Sequence, residues 1–543
     1  MKIVSIIAYP DRIEVLADIP MPVSASGRAF VPLVRGGTGR HTPARLLTES
    51  RCVEGDRLIF PRYAEGYDLL IGRFSVTVDR NEAEGVCYVT DVAPAASRGD
   101  TPRPPVGKPV GTWVTCPGED MDFYGFGGMM TEINMAWILT LTPAEEDIPH
   151  IWNGKTYYFA RPIMDTYDRL MQPCIRRGLP CLVRLINRFS YRLRGSDAAL
   201  RAVIGHPGYE DTGFSEQMSA FNLTTEEGVE TYCACVDFLC NRYANPASPL
   251  FCSVIMDVGN EINAQAVWHN CGPMPCGDFM EEYAAALRMA HLIGLTHNSA
   301  HTVHVSLDHY YGIPYRPDSL RYYGGRECLA RLAAICRRDG DFDWGISAHP
   351  YPEDLTHPDF YNDKTATYQP DTHRITMKNL EMLGYVAEQP ALCYRGRARR
   401  VLCDEQGFHT DYGDREESEN KGAYAFVLLW EKMKRLPTVE QFLINRYTDM
   451  PENDEGGLHL GLRYEEGYAD AEHLFIHPGP YKKISYVIRD LGTEAEERWV
   501  REARDYVGRE LYDSLLTPVL PEADPYFDEI AASMERECSQ PTE

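Results

Sequence analysis

Short apolar runs and longer amphipathic runs alternate along the chain after about residue 110. Runs such as "LPCLVRLINRF", "CSVIMDVGNEI" and "HTVHVSLDHYY" are each followed by a segment whose apolar residues recur every three or four positions, as in "TTEEGVETYCACVDFLCNRY". Continuous apolar runs are typical of strands buried on both faces, and the longer spacing is typical of helices. The alternation occurs about seven times, with a further strand predicted near "GTWVTCP", so the pattern favours the α/β class and a closed (β/α)8 TIM barrel.

The first hundred residues have a different pattern. Segments such as "KIVSIIAY", "RIEVLADI" and "YDLLIGRFSVTVD" are short, rich in β-branched and aromatic residues, and separated by Pro, Gly and Asp. They predict a β-sandwich-like accessory domain. The stretch "APAASRGDTPRPPVGKPVG" has the composition of a linker. We therefore expect a β-rich accessory domain over 1–105, a catalytic barrel over 106–525 and a C-terminal tail over 526–543.

Composition and charge limit the classes of partner. The chain has 543 residues, 44% hydrophobic, with a formal net charge of −26. A strongly acidic protein is a poor match for nucleic acid or an anionic membrane surface, because both require clustered Lys and Arg. No segment approaches the about 18 apolar residues of a membrane span, and Pro10, Asp11 and Arg12 interrupt the apolar N-terminus. We expect a cytoplasmic protein.

The cysteines do not predict a metal site. Many of the 16 cysteines lie within apolar segments, as reduced cysteines do when they pack as small hydrophobic residues. The segments "CACVDFLC" and "CGPMPC" lack the paired two-residue spacing and the second ligand pair of a zinc site. We predict neither a metal nor a cofactor.

Two predicted strands end on a glutamate. Glu261 follows an apolar run in "CSVIMDVGNEINAQAVWHN", and Glu405 follows another in "RRVLCDEQGFHT", 144 residues later. Taken alone, Glu261 could equally cap the turn that follows it. However, the C-terminal ends of the strands form the active-site face of a (β/α)8 barrel, and carboxylates on strands four and seven can face each other across it.

The chain resembles the clan A glycoside hydrolases, the (β/α)8 superfamily of retaining enzymes. Asn260-Glu261 matches the Asn-Glu pair that ends their fourth strand, and Glu405 matches the glutamate that ends their seventh. A closer likeness is to an uncharacterised bacterial family of such barrels, carried by "NGKTYYF" at 153–159, "GNE" with Asn263, and "EQGF" at 405–408. The resemblance extends from about residue 120 to about residue 510.

The resemblance implies that Glu261 is the acid/base, that Glu405 is the nucleophile and that Asn260 binds the 2-hydroxyl of the sugar. Glycoside hydrolysis requires one carboxylic acid to protonate the leaving oxygen and one carboxylate to attack the anomeric carbon. Glu261 must therefore be able to carry a proton, whereas Glu405 must stay ionised.

Further candidates for substrate binding lie near the ends of other predicted strands or shortly after Glu261. They are Arg188, Trp268, Asp308, His309, Tyr310, His349, Tyr351 and Arg446. Two acids are expected elsewhere: Asp257 is predicted to pair with a Lys or Arg inside the barrel core, and Asp404 to point toward the helix layer, since neighbouring residues on a strand face opposite sides. The segment "QFLINRYTDM" has no Trp, which the clan commonly places at the end of strand eight.

These observations predict a retaining O-glycoside hydrolase whose partner is an oligosaccharide or a glycoside. Transglycosylation uses the same two carboxylates and is equally compatible with the sequence. Two alternatives remain open at this stage. One is a carbohydrate-binding barrel without turnover. The other is a metal-dependent barrel hydrolase, for which candidate ligands are His206, His304, His309, His349 and His409.

Overall fold

A computed structural model describes residues 1–34, 45–51, 57–104, 106–189, 198–214, 216–451, 455–469 and 476–539. Within them, eight parallel strands form a closed barrel, because the first strand pairs with the eighth at Gly111 and Leu443. We refer to them as barrel strands 1 to 8. In order they are Val110–Trp113, Gly128–Asn134, Cys181–Ile186, Ile255–Val258, Thr302–Leu307, Trp344–Ala348, Val401–Gln406 and Val439–Ile444. The predicted (β/α)8 fold is confirmed.

The helices lie in the segments between and after these strands. Their bounds are Gly118–Tyr124, Met135–Ile138, Arg161–Arg177, Ala198–Ile204, Glu226–Leu239, Gln265–Trp268, Cys276–His297, Gly325–Asp339, Glu381–Ala387, Arg415–Met433, Lys483–Asp490, Glu496–Val507, Arg509–Leu515 and Tyr526–Ser539. Thr225 caps the helix that begins at Glu226, since its side chain accepts a hydrogen bond from the amide of Gly228. No helix within the described residues combines the length and the apolar character needed to cross a bilayer.

The N-terminal region forms sheets of its own, as the predicted accessory domain requires. One sheet contains Lys2–Ala8, Arg12–Ala17, Arg57–Pro61, Glu84–Gly85 and Asp91–Val92, and a second contains Ser26–Phe30, Leu46–Arg51, Arg73–Val78 and Asn81–Glu82. A short hairpin joins Tyr63–Ala64 to Tyr67–Asp68. Ile6, Phe60 and Phe74 are among the buried side chains of this region.

Smaller antiparallel sheets complete the strand inventory of the described residues. One contains Leu139–Thr140, Ile148–Trp152 and Lys155–Phe159, and the other pairs Arg463–Tyr468 with Ile476–Tyr481. The backbone amide of Val34 donates to the carbonyl of Leu223, and that of Cys87 donates to the carbonyl of Asp339. These hydrogen bonds join the N-terminal region to the barrel.

Candidate active site

Glu261 lies just beyond the end of barrel strand 4, in a sharp turn. Gly259 has a φ of 83°, and a Cβ there would lie 2.6 Å from Nδ1 of His269, so the turn requires glycine. Glu261 itself has a φ of 35°, and its amide donates to Oγ of Ser306 at 3.1 Å. The turn therefore directs the Glu261 side chain from the rim of strand 4 toward strands 5 and 6.

Glu405 lies on barrel strand 7 and is held by hydrogen-bond donors on both oxygens. Nη1 of Arg184, on strand 3, donates to Oε2 at 2.5 Å, and the hydroxyl of Tyr351 donates to Oε1 at 3.3 Å. Nδ2 of Asn445 donates to the Tyr351 hydroxyl at 2.9 Å. The carboxylate is thus held by Arg184 on strand 3 and by Tyr351 after strand 6, and Asn445, just after strand 8, supports Tyr351.

His349 joins the two glutamates. Its Nδ1 lies 2.8 Å from Oε1 of Glu261 and 3.9 Å from Oε2 of Glu405. Oxygens of the two carboxylates lie within 4.8 Å of each other. The His349 side chain is fully buried, whereas those of Glu261 and Glu405 are 13% and 18% exposed. The carboxylates therefore face solvent together, above a buried imidazole.

Neighbouring charges set the protonation of this group. Burial alone would raise the pKa of Glu405, but His349 and Arg184 lower it below its usual value. Burial alone would lower the pKa of His349, but the carboxylates of Glu405 and Asp404 raise it to about 10. Glu405 is therefore ionised, and His349 is protonated, throughout the neutral pH range.

A second layer of charged groups lies beneath the glutamates. Arg184 is fully buried and donates from Nη2 to Oδ2 of Asp404 at 2.6 Å, and its Nε lies 3.7 Å from Oδ2 of Asp257. Asp257 thus has the core arginine partner that the sequence predicted.

The prediction for Asp404 was wrong. Asp404 is fully buried inside the barrel, because the pairing of strands 7 and 8 shifts register between Cys403 and Gln406. This bulge lets neighbouring residues share one side of the strand.

The predicted residues after strand 5 form a connected group beside Glu261. Asp308 accepts hydrogen bonds from Nδ2 of Asn263 and from the amide of Tyr310. Burial, followed by the charge of Glu261, raises the pKa of Asp308 to about 8. The ring centroids of His309 and Tyr310 lie 4.7 Å apart. Asp308 is therefore a neutral neighbour of Glu261 near pH 7.

The remaining predicted residues are distributed around the barrel rim. Asn260 is buried, and its Oδ1 has no hydrogen-bond partner among the described residues. Arg188 pairs with Glu132 at 3.0 Å and with Glu216 at 2.6 Å. Arg446 lies after strand 8. Burial lowers its pKa, and the nearby Tyr351 and Glu405 oppose this effect. The ring centroids of Trp268 and Phe214 lie 5.7 Å apart, in an edge-to-face arrangement.

Sequence reasoning missed several residues that hold the site together. Arg184 is the clearest case, and a signal was present: it is the one charged residue in the apolar run "CLVRLI" of strand 3. Ser306 and Glu132 also lie on barrel strands. Asn445, which supports Tyr351, is one of the polar residues that the sequence places at the end of strand 8, beside Arg446, but no role was predicted for it. Each of these residues acts through a partner that is distant in sequence.

One arrangement matches the donor set of a metal site. Among the described residues, Glu261, His349 and Glu405 are the only group of three or more such side chains whose donor atoms converge. Their chemistry fits a metal poorly, because ligands must be deprotonated and the neighbouring carboxylates favour the protonated form of His349. Arg184 also brings a positive charge to within 2.5 Å of Glu405. His304, another candidate ligand, is fully buried in the barrel core.

Residues 114–515 match the model of a protein family described as "Family of unknown function (DUF5722)". The chain belongs to this family. The match spans the whole barrel except the first strand and includes both glutamates. No curated protein sequence matches the chain.

Solved structures similar to the chain include several glycosidases. A family 39 glycoside hydrolase from the gut symbiont Bacteroides cellulosilyticus WH2 has 13% identity and a TM-score of 0.43, over 91% of this chain and 82% of that one. A β-glucosidase from Pyrococcus furiosus has 14% identity and a TM-score of 0.43, over 72% and 87%. An exo-β-1,4-mannosidase from Opitutaceae bacterium strain TAV5 has 14% identity and a TM-score of 0.39, over 75% and 63%. Similarity at this level assigns neither a substrate nor a catalytic role.

Proposed function

We propose that the protein is a retaining O-glycoside hydrolase that acts on an oligosaccharide or a small glycoside. The observation that carries the proposal is the approach of Glu261 and Glu405, whose carboxylate oxygens lie within 4.8 Å of each other at the C-terminal rim of the barrel. Retaining enzymes have carboxyl groups about 5–5.5 Å apart, whereas inverting enzymes need about 6.5–9.5 Å to accommodate a water molecule. The spacing favours double displacement.

Glu405 is the nucleophile in this proposal. Its ionised carboxylate attacks the anomeric carbon while the glycosidic C–O bond breaks and the leaving oxygen takes a proton from Glu261. Water then attacks the glycosyl ester, passes a proton back to Glu261 and releases Glu405 as a carboxylate. Arg184 and Tyr351 hold Glu405 in position for both steps.

Glu261 is the acid/base in this proposal, and His349 is its hydrogen-bond partner. The acid must have a proton available when the leaving group departs. His349 Nδ1 lies 2.8 Å from Oε1 of Glu261, and the raised pKa of His349 keeps a proton on this hydrogen bond at neutral pH. Asn260 precedes Glu261, and its amide oxygen, which has no partner in the part of the chain that the structure describes, is suited to receive a hydrogen bond from a sugar hydroxyl.

The binding-barrel alternative is weaker on physical grounds. A protein that only binds sugars has no need for a nucleophile whose pKa is lowered by two cationic groups, or for a second carboxylate within 4.8 Å of it. Such arrangements are costly to fold, because each buried charge must be compensated. They are typical of catalytic sites.

A parallel substrate screen tests the proposed function. Wild type, Glu405→Gln and Glu210→Gln should be assayed against a panel of aryl glycosides and oligosaccharides. Glu210 is a matched control, since its side chain is 46% exposed and pairs with Arg321 on a rim loop. We expect turnover by wild type and Glu210→Gln and none by Glu405→Gln. Equal turnover by wild type, Glu405→Gln and Glu210→Gln would contradict the proposal.

The pH dependence of kcat/KM should show a broad plateau. Glu405 must be ionised, and its pKa lies below the ordinary glutamate value of about 4.3, so activity should fall only below that pH. The Glu261–His349 pair must hold a proton, so activity should decline as the pH approaches the pKa of His349, about 10. Initial rates with an activated aryl glycoside would measure both limbs. A descending limb near pH 6 would show that His349 is neutral and does not supply the proton.

Activity should not depend on a bound metal. The proposed chemistry uses carboxylates, and Arg184 occupies the cationic position beside Glu405. Dialysis against a chelator should therefore leave both kcat and the melting temperature unchanged. Lost activity that returns with zinc or manganese would instead favour the metal-dependent hydrolase.

A further inference from the structure

The described barrel core holds more negative charge than its cations balance. Three carboxylates surround Arg184: Glu405 at 2.5 Å, Asp404 at 2.6 Å and Asp257 at 3.7 Å. The second cation that faces them, His349, lies within 4 Å of Asp404 and Glu405, which leaves one of the three carboxylates without a cation of its own. Asp257, Asp404 and Arg184 are all fully buried. An uncompensated buried charge is strongly destabilising. At least one of these carboxyl groups is therefore expected to carry a proton.

Two unpartnered oxygens show where that proton lies. Oδ2 of Asp257 and Oδ1 of Asp404 are both buried, and neither has a hydrogen-bond partner among the described residues. The two side chains lie within hydrogen-bond reach of each other, so one shared proton would satisfy both oxygens. We infer that Asp257 and Asp404 form a carboxyl pair that holds a single proton beneath the two glutamates, with the proton on Asp257.

The contacts distinguish the two members of the pair. Asp404 accepts a charged hydrogen bond from Nη2 of Arg184 at 2.6 Å, which stabilises its ionised form. Asp257 accepts its short hydrogen bond from the neutral hydroxyl of Ser347, also at 2.6 Å, and lies farther from Arg184. Burial and the charge of Asp404 raise the pKa of Asp257, and Arg184 and His349 lower that of Asp404 against the effect of burial.

The groups that face the pair come from several elements. They are Arg184 on strand 3, His304 on strand 5, Ser347 and His349 at strand 6, Glu405 on strand 7 and Tyr283 on the helix Cys276–His297. Burial lowers the pKa of His304 to about 3, so this histidine is neutral and does not compete for the charge. Arg184 and His349 are the cations that respond to the pair.

Asp404, the ionised member of the pair, positions the groups that take part in the proposed reaction. By binding Nη2 of Arg184, Asp404 directs Nη1 toward Glu405. On its other side, Asp404 Oδ1 lies 3.4 Å from Nε2 of His349, while Nη2 of Arg184 lies 2.9 Å from the same nitrogen. The positive charge of Arg184 favours the neutral form of the His349 imidazole, whereas the Asp404 carboxylate favours its protonated form. The ionised Asp404 thus maintains the proton that His349 shares with Glu261.

The isosteric variants Asp257→Asn and Asp404→Asn test the inference. Asn resembles a protonated aspartate, so Asp257→Asn should keep kcat/KM within about threefold of wild type and the alkaline limb of the pH profile near its original position. Asp404→Asn removes the charge that retains the His349 proton. Its alkaline limb should move down by about one pH unit or more, and its kcat/KM at pH 9 should fall about tenfold or more.

Two measurements remain decisive even if the proposed glycosidase activity, on which the positioning role rests, is absent. The infrared difference spectrum between wild type and Asp257→Asn at pH 8 should contain the C=O band of one protonated carboxyl group; Asp308, whose pKa is raised to about 8, contributes equally to both proteins and cancels. Thermal unfolding should show that Asp404→Asn is less stable than wild type by about 5 °C or more, with Asp257→Asn close to wild type. Equal effects of the two substitutions, or a larger effect of Asp257→Asn, would overturn the inference.

Discussion

Glu405→Ala is expected to lower kcat by about a thousandfold or more on every substrate, because it removes the atom that attacks the anomeric carbon. Added azide should restore part of the activity by entering the space of the missing carboxylate, on the face opposite the leaving group. The product should then be a glycosyl azide of inverted anomeric configuration. Steady-state kinetics with and without azide, and NMR of the product, measure the two parts of this prediction.

Removal of Glu405 also takes away one of the two carboxylates that Arg184 and His349 share, the other being Asp404. Glu405→Gln keeps the shape of the side chain and therefore serves as a control for misfolding. If Glu405→Gln were as active as wild type while its melting temperature was unchanged, Glu405 would not be the nucleophile.

Glu261→Ala is expected to have an effect that depends on the leaving group. A dinitrophenolate leaves without protonation, so such substrates should retain much of their wild-type rate of glycosyl transfer to Glu405. Substrates with a sugar or an alkyl leaving group should lose about 10²–10⁴-fold in kcat/KM, the usual contribution of general acid catalysis. Azide should accelerate breakdown of the glycosyl-enzyme and give a product of retained configuration.

The comparison of Glu261→Ala with Glu405→Ala assigns the two roles. A steep dependence on leaving-group pKa in Glu261→Ala alone would agree with the proposed assignment. The reverse pattern, with retained azide from Glu405→Ala, would exchange the roles of the two glutamates.

The barrel and its strand count were predictable because its strands are buried on both faces and thus appear as continuous apolar runs. Glu261 follows strand 4 and Glu405 lies on strand 7, as the sequence predicted. Polar residues that end such runs are conspicuous, which is why His349 and Tyr351 were also found near the glutamates. These signals are local in sequence.

Features that depend on local distortion or on distant partners were not predictable. The segment 129–141 looks like one strand, but Asn134 ends it by accepting a hydrogen bond from the amide of Ala136, which caps the helix Met135–Ile138. The bulge of strand 7 placed Asp404 inside the barrel, against the alternation expected of a regular strand. The role of Arg184 follows only from three acids that lie on other strands.

The central claim is that Glu405 forms a covalent glycosyl-enzyme while Glu261 protonates the leaving group. The most direct measurement is the mass of the intact protein after incubation with activated 2-deoxy-2-fluoro glycosides, followed by peptide mapping, because the fluorine slows breakdown of the intermediate more than an activated leaving group slows its formation. We predict a mass increase of one fluoroglycosyl group located on Glu405 in wild type and in Glu261→Ala, and none in Glu405→Gln. A label on another residue, or turnover of the natural substrate with inversion of the anomeric configuration, would contradict the account.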